Sequence, residues 1–390
     1  MEPDLSELDA FLDENGADGY LIEADSTDSD QLYLSGFDAP DSFVTLHMDE
    51  THLLVSGLEY GRARSESRAE TVSRYADYGY REKVEEYGPI GAKPRLIAEF
   101  LADHDAGRVV VPARFPLALA DGLRELDVGV SAETDDVLTG IRAVKTDEEI
   151  DSIREAQRAN EEAMHTAETL LEEASVEEGV LQHGGEPLTS ERVRREIEIA
   201  LLRLDCALDE TIVSCGADAA DPHDRGSGPL HTDETIVIDV FPRSKETNYH
   251  ADMTRTFVVG EPSETAREWY DLTAEAKEAA LEAIEPGVTG AEVHAAACEV
   301  YEEAGLPTLR NDESTETGFI HSTGHGIGLD VHELPRLSES GGELEPGHVV
   351  TVEPGLYDPE VGGVRIEDLV VVREDGYENL TDYPEEFVIN

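Results

Sequence analysis

The sequence predicts an α+β protein of two domains, in which a smaller α/β domain precedes a larger domain of helices and antiparallel strand pairs. Two observations lead to this fold class. In the first third of the chain, short apolar runs alternate with helical patterns, which is typical of a mixed α/β domain. In the remainder, helices followed by a pair of acid-bearing strands occur twice. With 390 residues and 39% hydrophobic content, the chain is long enough for two full cores.

The charge is extreme: 89 acidic residues stand against 29 lysines and arginines, which gives a formal charge of −60 spread along the whole chain. Concentrated salt screens such repulsion, because the Debye length falls to about 3 Å at 1 M. We therefore expect a protein of a halophile's cytosol, and a protein that recruits basic partners is the alternative. The negative charge argues against a nucleic-acid partner.

The sequence contains neither a signal-peptide pattern nor an apolar run long enough to cross a bilayer, so we expect a cytoplasmic protein without a membrane partner. The cysteines are odd in number, widely spaced and without a CxxC pair. They are therefore expected to be buried, unpaired thiols rather than disulfides or zinc ligands. They are Cys206, Cys215 and Cys298.

The first domain is predicted at residues 1–140 and contains no evident catalytic cluster. Its helices are expected at Leu5–Glu14, Leu58–Ser67 and Pro94–His104. Its strands are expected at Gly19–Ile22, Phe43–His47, His52–Ser56, Thr71–Arg74 and Arg108–Val111.

The second domain is predicted at residues 141–390. Thr146 and Glu149 form a capping box, which predicts a long helix running to Glu173. Val176–Leu188 is rich in glycine and is predicted to be a connecting loop. The remaining helices are expected at Ser190–Leu204, Ser263–Ile284 and Thr289–Gly305, the last opened by a second capping box at Thr289 and Glu292.

Four strands of this domain are expected to form one sheet from two similar strand pairs. They are Thr235–Phe241, Thr254–Val259, Val349–Glu353 and Val364–Val372. The first pair supplies Asp239 and Asp252, and the second supplies Glu353 and Glu367. Asp239 and Glu353 lie in runs that are apolar on both faces and hence buried. Each buried carboxylate without a partner costs several kcal/mol, so a cation must compensate the negative charge of these acids. The candidates are divalent metal ions or a structural ion-pair network with Arg255 and Arg365.

A stretch with three histidines and three glycines, H-S-T-G-H-G-I-G-L-D-V-H-E, runs from His321 to Glu333. By itself it can be a glycine-rich turn with solvated histidines. Together with the acids it favours a metal site, because oxygen-rich ligand sets with an imidazole suit Mn²⁺, Co²⁺ or Zn²⁺. Four acids exceed the need of one ion and indicate two. Paired ions can hold a hydroxide nucleophile and polarise a carbonyl, which is hydrolase chemistry.

Five motifs, in order, resemble the pita-bread-fold metallopeptidases, which include methionine aminopeptidase, aminopeptidase P and prolidase. The motifs are V-I-D-V at 237–240, A-D-M-T-R-T at 251–256, G-H-G-I-G-L-D-V-H-E at 324–333, V-E-P-G-L-Y at 352–357 and G-G-V-R-I-E-D at 362–368. The first domain, with Y-L-S-G-F at 33–37 and R-A-V-K-T-D-E-E-I at 142–150, resembles the creatinase-like N-terminal domain of aminopeptidase P and prolidase. The resemblance implies a C-terminal pita-bread catalytic domain.

The resemblance also implies roles for individual residues. The implied metal ligands are Asp239, Asp252, His325, Glu353 and Glu367, with Asp252 and Glu367 bridging two ions. The implied catalytic residues are His332, which contacts the substrate amide, His223, which stabilises the tetrahedral intermediate, and Glu353, the general base. Residues expected at the substrate are His321 as a pocket-lining residue, Arg365 as an orienting residue and Arg336 as a binder of a dipeptide's carboxylate. A surface ion pair is the alternative for Arg336.

The activity implied is hydrolysis of the peptide bond between an N-terminal residue and proline by a metal-bridging hydroxide, as in an Xaa-Pro aminopeptidase or an Xaa-Pro dipeptidase. We expect two divalent ions, Mn²⁺ before Co²⁺ or Zn²⁺, a peptide substrate with proline second, and a homodimer. The alternatives are an aminopeptidase of other specificity and a non-catalytic pita-bread binding module. One departure from the family is that Asp239 and Asp252 lie thirteen positions apart instead of eleven, which leaves His250 as a competing ligand.

Overall fold

A computed structural model describes residues 3–389 and divides the chain into two compact units, Met1–Arg142 and Ala143–Asn390. The helices of the first unit are α1 (Ser6–Asn15), α2 (Ser29–Ser35), α3 (Tyr60–Glu66), α4 (Tyr80–Asp103), α5 (Leu117–Arg124) and α6 (Val137–Ala143). Its strands are β1 (Gly19–Ala24), β2 (Phe43–His47), β3 (Thr51–Val55), β4 (Thr71–Arg74), β5 (Arg108–Val111) and β6 (Gly129–Ala132). They form one mixed sheet in the order β4-β3-β2-β1-β5-β6.

The apolar side chains of this sheet pack against α4, where Leu96, Ile97 and Phe100 are fully buried. The sequence predicts a helix only from Pro94, but α4 begins at Tyr80. The reason is the Gly88-Pro89 pair. Gly88 has φ 70° and kinks the helix, so its first half carries breaker residues that hide it from pattern analysis.

The helices of the second unit are α7 (Asp147–Glu172), α8 (Ser190–Arg203), α9 (Glu264–Glu282) and α10 (Gly290–Glu303). Both predicted capping boxes are confirmed. The backbone N–H of Glu149 donates to Thr146 Oγ1 over 3.3 Å, and the backbone N–H of Thr146 donates to Glu149 Oε2 over 2.7 Å. Thr289 and Glu292 make the same exchange at the start of α10. The capping chemistry therefore fixes where these helices begin.

The strands of the second unit form several sheets. The strands are β7 (Ser175–Glu177), β8 (Val180–His183), β9 (Glu186–Pro187), β10 (Cys206–Ala207), β11 (Thr211–Cys215), β12 (Ile236–Val240), β13 (Arg243–Ser244), β14 (Met253–Val259), β15 (Gly324–Gly326), β16 (Glu333–Leu337), β17 (Val349–Val352), β18 (Gly355–Asp358), β19 (Gly362–Arg365), β20 (Asp368–Arg373), β21 (Gly376–Asn379) and β22 (Val388–Ile389). The two larger sheets have the orders β11-β12-β14-β22 and β16-β15-β17-β20-β21.

Three expectations for this unit are wrong. The predicted loop Val176–Leu188 contains β7, β8 and β9, which form a small sheet whose polar, mostly exposed strands give no apolar alternation. The predicted strand Val364–Val372 is interrupted at Ile366 and Glu367, between β19 and β20. The acid-bearing strands also belong to two hydrogen-bonded sheets instead of one.

The two larger sheets meet at the interruption. The backbone N–H of Glu367 donates to the carbonyl of Thr254 in β14 over 3.1 Å, so a residue of the broken strand is held against the other sheet. Apolar clusters fill the space between sheets and helices on both sides, one with α9 and α10 and the other with α7 and α8. The three cysteines are unpaired, and Cys206 and Cys298 are buried while Cys215 is partly exposed. Within residues 3–389, no helix has the length and apolar composition needed to cross a membrane.

Candidate metal centre

One face of the β11-β12-β14 sheet carries the first two predicted ligands. Asp239 lies in β12 opposite Ile212 of β11 and Thr254 of β14. Directly paired residues share a face, and so do residues two apart along a strand. Asp252, two residues before Thr254, is therefore directed to the same side as Asp239.

The second sheet supplies the other three predicted ligands. His325 lies in β15, Glu353 directly follows β17, and Glu367 lies in the interruption before β20. Ligand atoms of Asp252, His325 and Glu367 all lie within 4.8 Å of one another. The structure therefore brings together acids and an imidazole that are far apart in the sequence.

All ten residues singled out in the sequence line a single cavity of about 1060 Å³. They are His223, Asp239, Asp252, His321, His325, His332, Arg336, Glu353, Arg365 and Glu367. The competing candidate His250 is directed elsewhere, because its backbone N–H donates to the carbonyl of Gly328 over 2.8 Å and its Nδ1 lies 3.3 Å from the same oxygen.

The carboxylates of this cavity repel one another. Burial raises the pKa of Asp252 and Glu367 well above the usual range, and the neighbouring acids raise it further. Burial likewise raises the pKa of Glu353 to about 8. Asp239 Oδ1, Asp252 Oδ1 and Glu367 Oε1 are buried without a hydrogen-bond partner. Buried polar atoms are rarely left in this state, so the oxygens are suited to a cation.

The orientation of His325 leads to the same conclusion. Burial lowers the pKa of His325 to about 3, and its Nδ1 lies 3.1 Å from the carbonyl oxygen of Gly326. In a neutral ring that donates from Nδ1, Nε2 carries a lone pair. That Nε2 lies 3.3 Å from Glu353 Oε1 and 3.9 Å from Asp252 Oδ2. Lone pairs at these distances repel one another unless a cation lies among them, and imidazole with carboxylates is a typical divalent-metal set.

A hydrogen-bonded chain supports Asp239 from behind. Arg365 donates through Nη2 to Asp239 Oδ2 over 2.7 Å and through Nη1 to the hydroxyl of Tyr357 over 2.9 Å. The hydroxyl of Tyr357 lies 3.0 Å from Nε2 of His321, whose Nδ1 lies 2.7 Å from the carbonyl of Ser322. Burial lowers the pKa of His321 to about 3, so the neutral ring donates from Nδ1 and accepts from Tyr357 at Nε2. The chain fixes one Asp239 oxygen and leaves the other free.

The remaining predicted residues lie towards the open part of the cavity. His332 is exposed, and its ring meets that of His325 edge to face with centroids 4.3 Å apart. His223 is exposed on the loop that follows a short 3-10 helix at Gly216–Ala220. Arg336 is exposed in β16. These three side chains line the cavity and are open to solvent.

Two contributors to the site are missed in the sequence. Tyr357 ends the V-E-P-G-L-Y motif and joins Arg365 to His321. Thr254, in A-D-M-T-R-T, donates to Glu367 Oε2 over 2.8 Å and accepts from Arg365 Nε over 3.1 Å. Both lie inside motifs that carry the resemblance, and the only signal for them is a hydroxyl in an otherwise buried position.

Comparison with known proteins agrees with this geometry. Residues 151–374 match metallopeptidase family M24, and residues 5–155 match the creatinase/prolidase N-terminal domain. The chain belongs to metallopeptidase family M24. Members of this family use a dinuclear site for divalent metal ions, and the cluster of acids with one imidazole fits such a site.

Three similar proteins align with this M24 chain over almost its whole length. It is 32% identical to the Xaa-Pro dipeptidase of Pyrococcus furiosus over 393 aligned positions, 98% of each protein. Its structure matches the Xaa-Pro dipeptidase from Bacillus anthracis with a TM-score of 0.83 at 26% identity over 99% of each chain. It also matches the X-Pro aminopeptidase from Thermotoga maritima, with a TM-score of 0.77 at 27% identity, over 96% of this chain and 98% of that one. The predicted family, fold class and enzyme class are confirmed.

Proposed function

We propose that this M24 metallopeptidase hydrolyses the bond between an N-terminal residue and a following proline, using two divalent metal ions. The observation that carries the proposal is the convergence of Nε2 of His325 with the carboxylates of Asp252 and Glu353, whose lone pairs face one another at 3.3–3.9 Å. Full-length likeness to proteins described as Xaa-Pro dipeptidase and X-Pro aminopeptidase supports the choice of substrate.

The proposed ligands are those implied by the sequence. Asp252 and Glu367 would be shared by the two ions, His325 and Glu353 would be the further ligands of one ion, and Asp239 would be the further ligand of the other. The unsatisfied oxygens of Asp239, Asp252 and Glu367 support this division. When bound, the ions would supply Lewis acidity towards the peptide carbonyl and make a water molecule acidic.

The remaining steps fall to side chains. Glu353 accepts the proton of the attacking water at its carboxylate. His332 lies at the open side of His325 and, as a neutral ring, holds the substrate amide. It assists transfer of the proton taken up by Glu353 to the departing proline nitrogen, so that the ring ends the step neutral. His223 donates to the oxygen that becomes negative. Arg365 keeps Asp239 oriented through its 2.7 Å bond.

Arg336 is proposed to bind the C-terminal end of the substrate. Its exposed guanidinium borders the cavity and can hold a dipeptide's carboxylate in a bidentate way. A longer Xaa-Pro peptide would place its chain in the same open region. The broad activity is therefore proposed as Xaa-Pro peptidase, with dipeptides and longer peptides as the two cases that an assay separates.

The decisive assay loads the purified protein with Mn²⁺, Co²⁺ or Zn²⁺ in concentrated salt and offers Gly-Pro, Ala-Pro and Ala-Pro-Xaa. We expect release of the first residue, with the highest rate for Mn²⁺. Ala-Ala is the matched control substrate. If a folded sample that binds two ions per chain cleaves none of the proline peptides, the proposed function is wrong; cleavage of Ala-Ala at the same rate would favour an aminopeptidase of broader specificity.

We further propose domains at 1–140 and 141–390, a homodimer, and a cytoplasmic location in a halophile. The charge of −60 supports the last point, since folding should then require salt. Light scattering in molar salt tests the dimer, and a melting temperature that rises with salt up to the molar range tests the halophilic origin.

A further inference from the structure

His223 is an exposed side chain on the loop of residues 221–228, which we call the His223 loop. Burial, and after it the nearby His223, lowers the pKa of His332, so the two rings lie close enough to interact. The backbone N–H of His223 donates to Asp221 Oδ1 over 3.0 Å, which folds the loop on itself. An exposed ring takes its place from the backbone that carries it. The contacts that anchor the loop therefore decide where His223 lies.

Arg194 of helix α8 holds two carbonyls of the His223 loop. Its Nη1 donates to the carbonyl oxygens of Arg225 and Gly226, the latter over 2.9 Å. Burial lowers the pKa of Arg194, and the neighbouring Glu191 opposes that shift without cancelling it. Burying a cation is costly, yet in a chain with 89 acidic residues this half-buried guanidinium is directed at main-chain oxygens. Such an arrangement is suited to fixing the position of a loop.

The first turn of α8 binds the end of the same loop. The backbone N–H of Ser190 donates to the carbonyl of Gly228 over 3.0 Å, and the backbone N–H of Gly228 donates to Glu191 Oε1 over 3.1 Å. The helix itself packs on α7 through buried apolar side chains. Helix α8 is therefore a fixed base for the loop, and Arg194 extends this base towards His223.

Strand β11 is the second support of the His223 loop. The hydroxyl of Ser214 in β11 donates to the carbonyl of Asp224, and the backbone N–H of Val213 donates to the carbonyl of Arg225 over 3.2 Å. Gly226 has φ 72°, and a Cβ there would collide with the carbonyl oxygen of Val213, so glycine is needed for this close approach. Because β11 pairs with β12, which carries a proposed ligand, the loop is tied to the sheet of the site.

We propose that Arg194 and Ser214 are positioning residues for the peptidase reaction, which act through the backbone of residues 224–226 to hold His223 where it stabilises the tetrahedral intermediate. The inference rests on the proposed function, in which His223 donates to the oxygen that becomes negative. Such a donor has to lie about 2.7–3.1 Å from that oxygen, so a shift of about 1 Å removes most of its effect. Since Arg194 is half-buried, water can replace it at both carbonyls, and its loss should displace the loop without unfolding the protein.

The kinetic test is a double-mutant cycle with His223→Ala, assayed on Ala-Pro. We expect His223→Ala alone to lower kcat about 100-fold, as for removal of one donor to the negative oxygen. Arg194→Met should lower kcat about 10-fold and Ser214→Ala about fivefold, with KM changed less than about threefold. In the His223→Ala background, neither substitution should lower kcat more than about twofold, because the side chain that they position is gone. Additive losses overturn the proposal, and so does an active enzyme that loses nothing in His223→Ala.

Arg195→Met is the matched control, since Arg195 is the next residue of α8, is exposed, and carries the same charge. It should keep wild-type kcat. Wild-type kcat in both Arg194→Met and Ser214→Ala overturns the proposal. An equal loss in Arg194→Met and Arg195→Met overturns it as well, because the effect would then come from charge alone. If Arg194→Met does not fold, Ser214→Ala, alone and combined with His223→Ala, decides the proposal by the same criteria.

Amide hydrogen exchange of the metal-free protein gives a readout that needs no activity. The backbone amides of His223 and Gly226 each donate to a carboxylate of the loop, over 3.0 and 2.8 Å. In Arg194→Met, or in Ser214→Ala if the former does not fold, they should exchange at least about 10-fold faster, while the amides of α9 keep their rates. In Arg195→Met both sets should exchange as in the wild type.

The two measurements separate this inference from the proposed function. Unchanged exchange of the loop amides in a folded Arg194→Met protein overturns the inference, whatever the activity of the enzyme. A wild-type protein that binds two ions and cleaves no Xaa-Pro peptide would refute the proposed function. An active wild-type enzyme whose loop and kcat are insensitive to Arg194→Met would refute the inference alone.

Discussion

Glu367 and Asp368 are neighbours in the sequence and are both buried, yet their surroundings are opposite. Glu367 faces other acids in the cavity, and one of its oxygens has no hydrogen-bond partner. Asp368 accepts from Arg255 Nη2 over 2.9 Å at one oxygen, and from Lys277 Nζ over 2.7 Å and Asn379 Nδ2 over 2.9 Å at the other. Burial would raise the pKa of Asp368, but Arg255 and Lys277 outweigh it and the pKa is lowered.

The difference distinguishes an acid that the protein itself neutralises from an acid that is available to a metal ion. Around Asp368 the protein itself supplies the cations, and Arg255 uses all its N–H groups on Asp368 and on the carbonyls of Thr254, Glu367, Tyr383 and Pro384. Around Glu367, Thr254 is the only residue in the described range 3–389 that donates a hydrogen bond to the carboxylate. Both residues are buried, so depth does not separate them. The absence of a cationic side chain in ion-pair contact with Glu367, within residues 3–389, supports the proposal that Glu367 binds a metal ion.

The largest effect is expected from Glu367→Gln. Removing this carboxylate, which we propose as a ligand of both ions, should abolish binding of at least one ion and lower kcat/KM by more than about 10³-fold, since even outer partners of a metal site are worth 10–100-fold. The metal-free variant should be at least as stable as the metal-free wild type, because a buried carboxyl group surrounded by other acids has been replaced by a neutral amide. Metal analysis and urea denaturation check both parts. If Glu367→Gln kept its metal and its activity, the proposed difference between Glu367 and Asp368 would be wrong.

Asp368→Asn is the matched change on the other side of the same peptide bond. It leaves Arg255 and Lys277 buried against a neutral amide, and we expect it to lower the free energy of unfolding by about 3–5 kcal/mol. Because the cavity acids are unchanged, the folded protein should still bind two ions per chain. A variant that kept its stability and lost its metal would show that the two acids share one role.

The sequence predicts the cavity acids well and their companions poorly. Asp239 and Glu353 can be recognised because each lies in a strand that is apolar on both faces, where a buried acid requires a compensating cation. Asp252, His325 and Glu367 are identified by the order of the motifs, through the resemblance. All of them line one cavity in the structure. The sequence does not predict which cationic side chain pairs with which acid. Arg255 and Arg365 are equal candidates there, whereas the structure pairs Arg365 with Asp239 and Arg255 with Asp368.

The failures have a common physical cause, which is that long-range contacts decide them. Val364–Val372 has the composition of one strand, but Glu367 is bonded to Thr254 of another sheet and the strand is interrupted there. Lys145 looks like an ordinary helix-preceding lysine, and its buried partner Glu333 is distant in sequence. Helix starts are predicted better, because Thr146 and Thr289 cap through residues only three positions away.

The comparison also predicts how stability depends on pH in the metal-free protein. The pKa of Glu353 rises from 4.5 to about 8 on folding, so between these values the folded state binds more protons than the unfolded state. Stability should therefore fall as the pH rises across this window, by up to about 1.4 kcal/mol per pH unit for each such group. Asp252 and Glu367, whose pKa values are also raised, act in the same direction.

The Asp368 cluster has the opposite sign and another window. Its lowered pKa gives stability that is complete above 3.8 and is lost only as the pH falls further, so it adds no slope near neutrality. Urea denaturation with a chelator at pH 5, 6, 7 and 8 measures the slope, and Glu353→Gln should reduce it. A flat profile for the metal-free wild type would contradict the repulsion attributed to the cavity.

The smallest effect is expected at the rim of the Asp368 cluster. Glu385 pairs with Lys277, but its side chain is 35% exposed, so water can replace it as a partner. Glu385→Gln should cost less than about 1 kcal/mol of unfolding free energy, as for other solvent-accessible ion pairs. The ion pairs of Asp368 with Lys277 and with Arg255 are not changed by this substitution. Metal binding and kcat should therefore remain at wild-type values. Urea denaturation measures this loss of unfolding free energy. If it approached the loss in Asp368→Asn, the stability of the cluster would depend on Glu385 and the whole network instead of on the buried carboxylate alone.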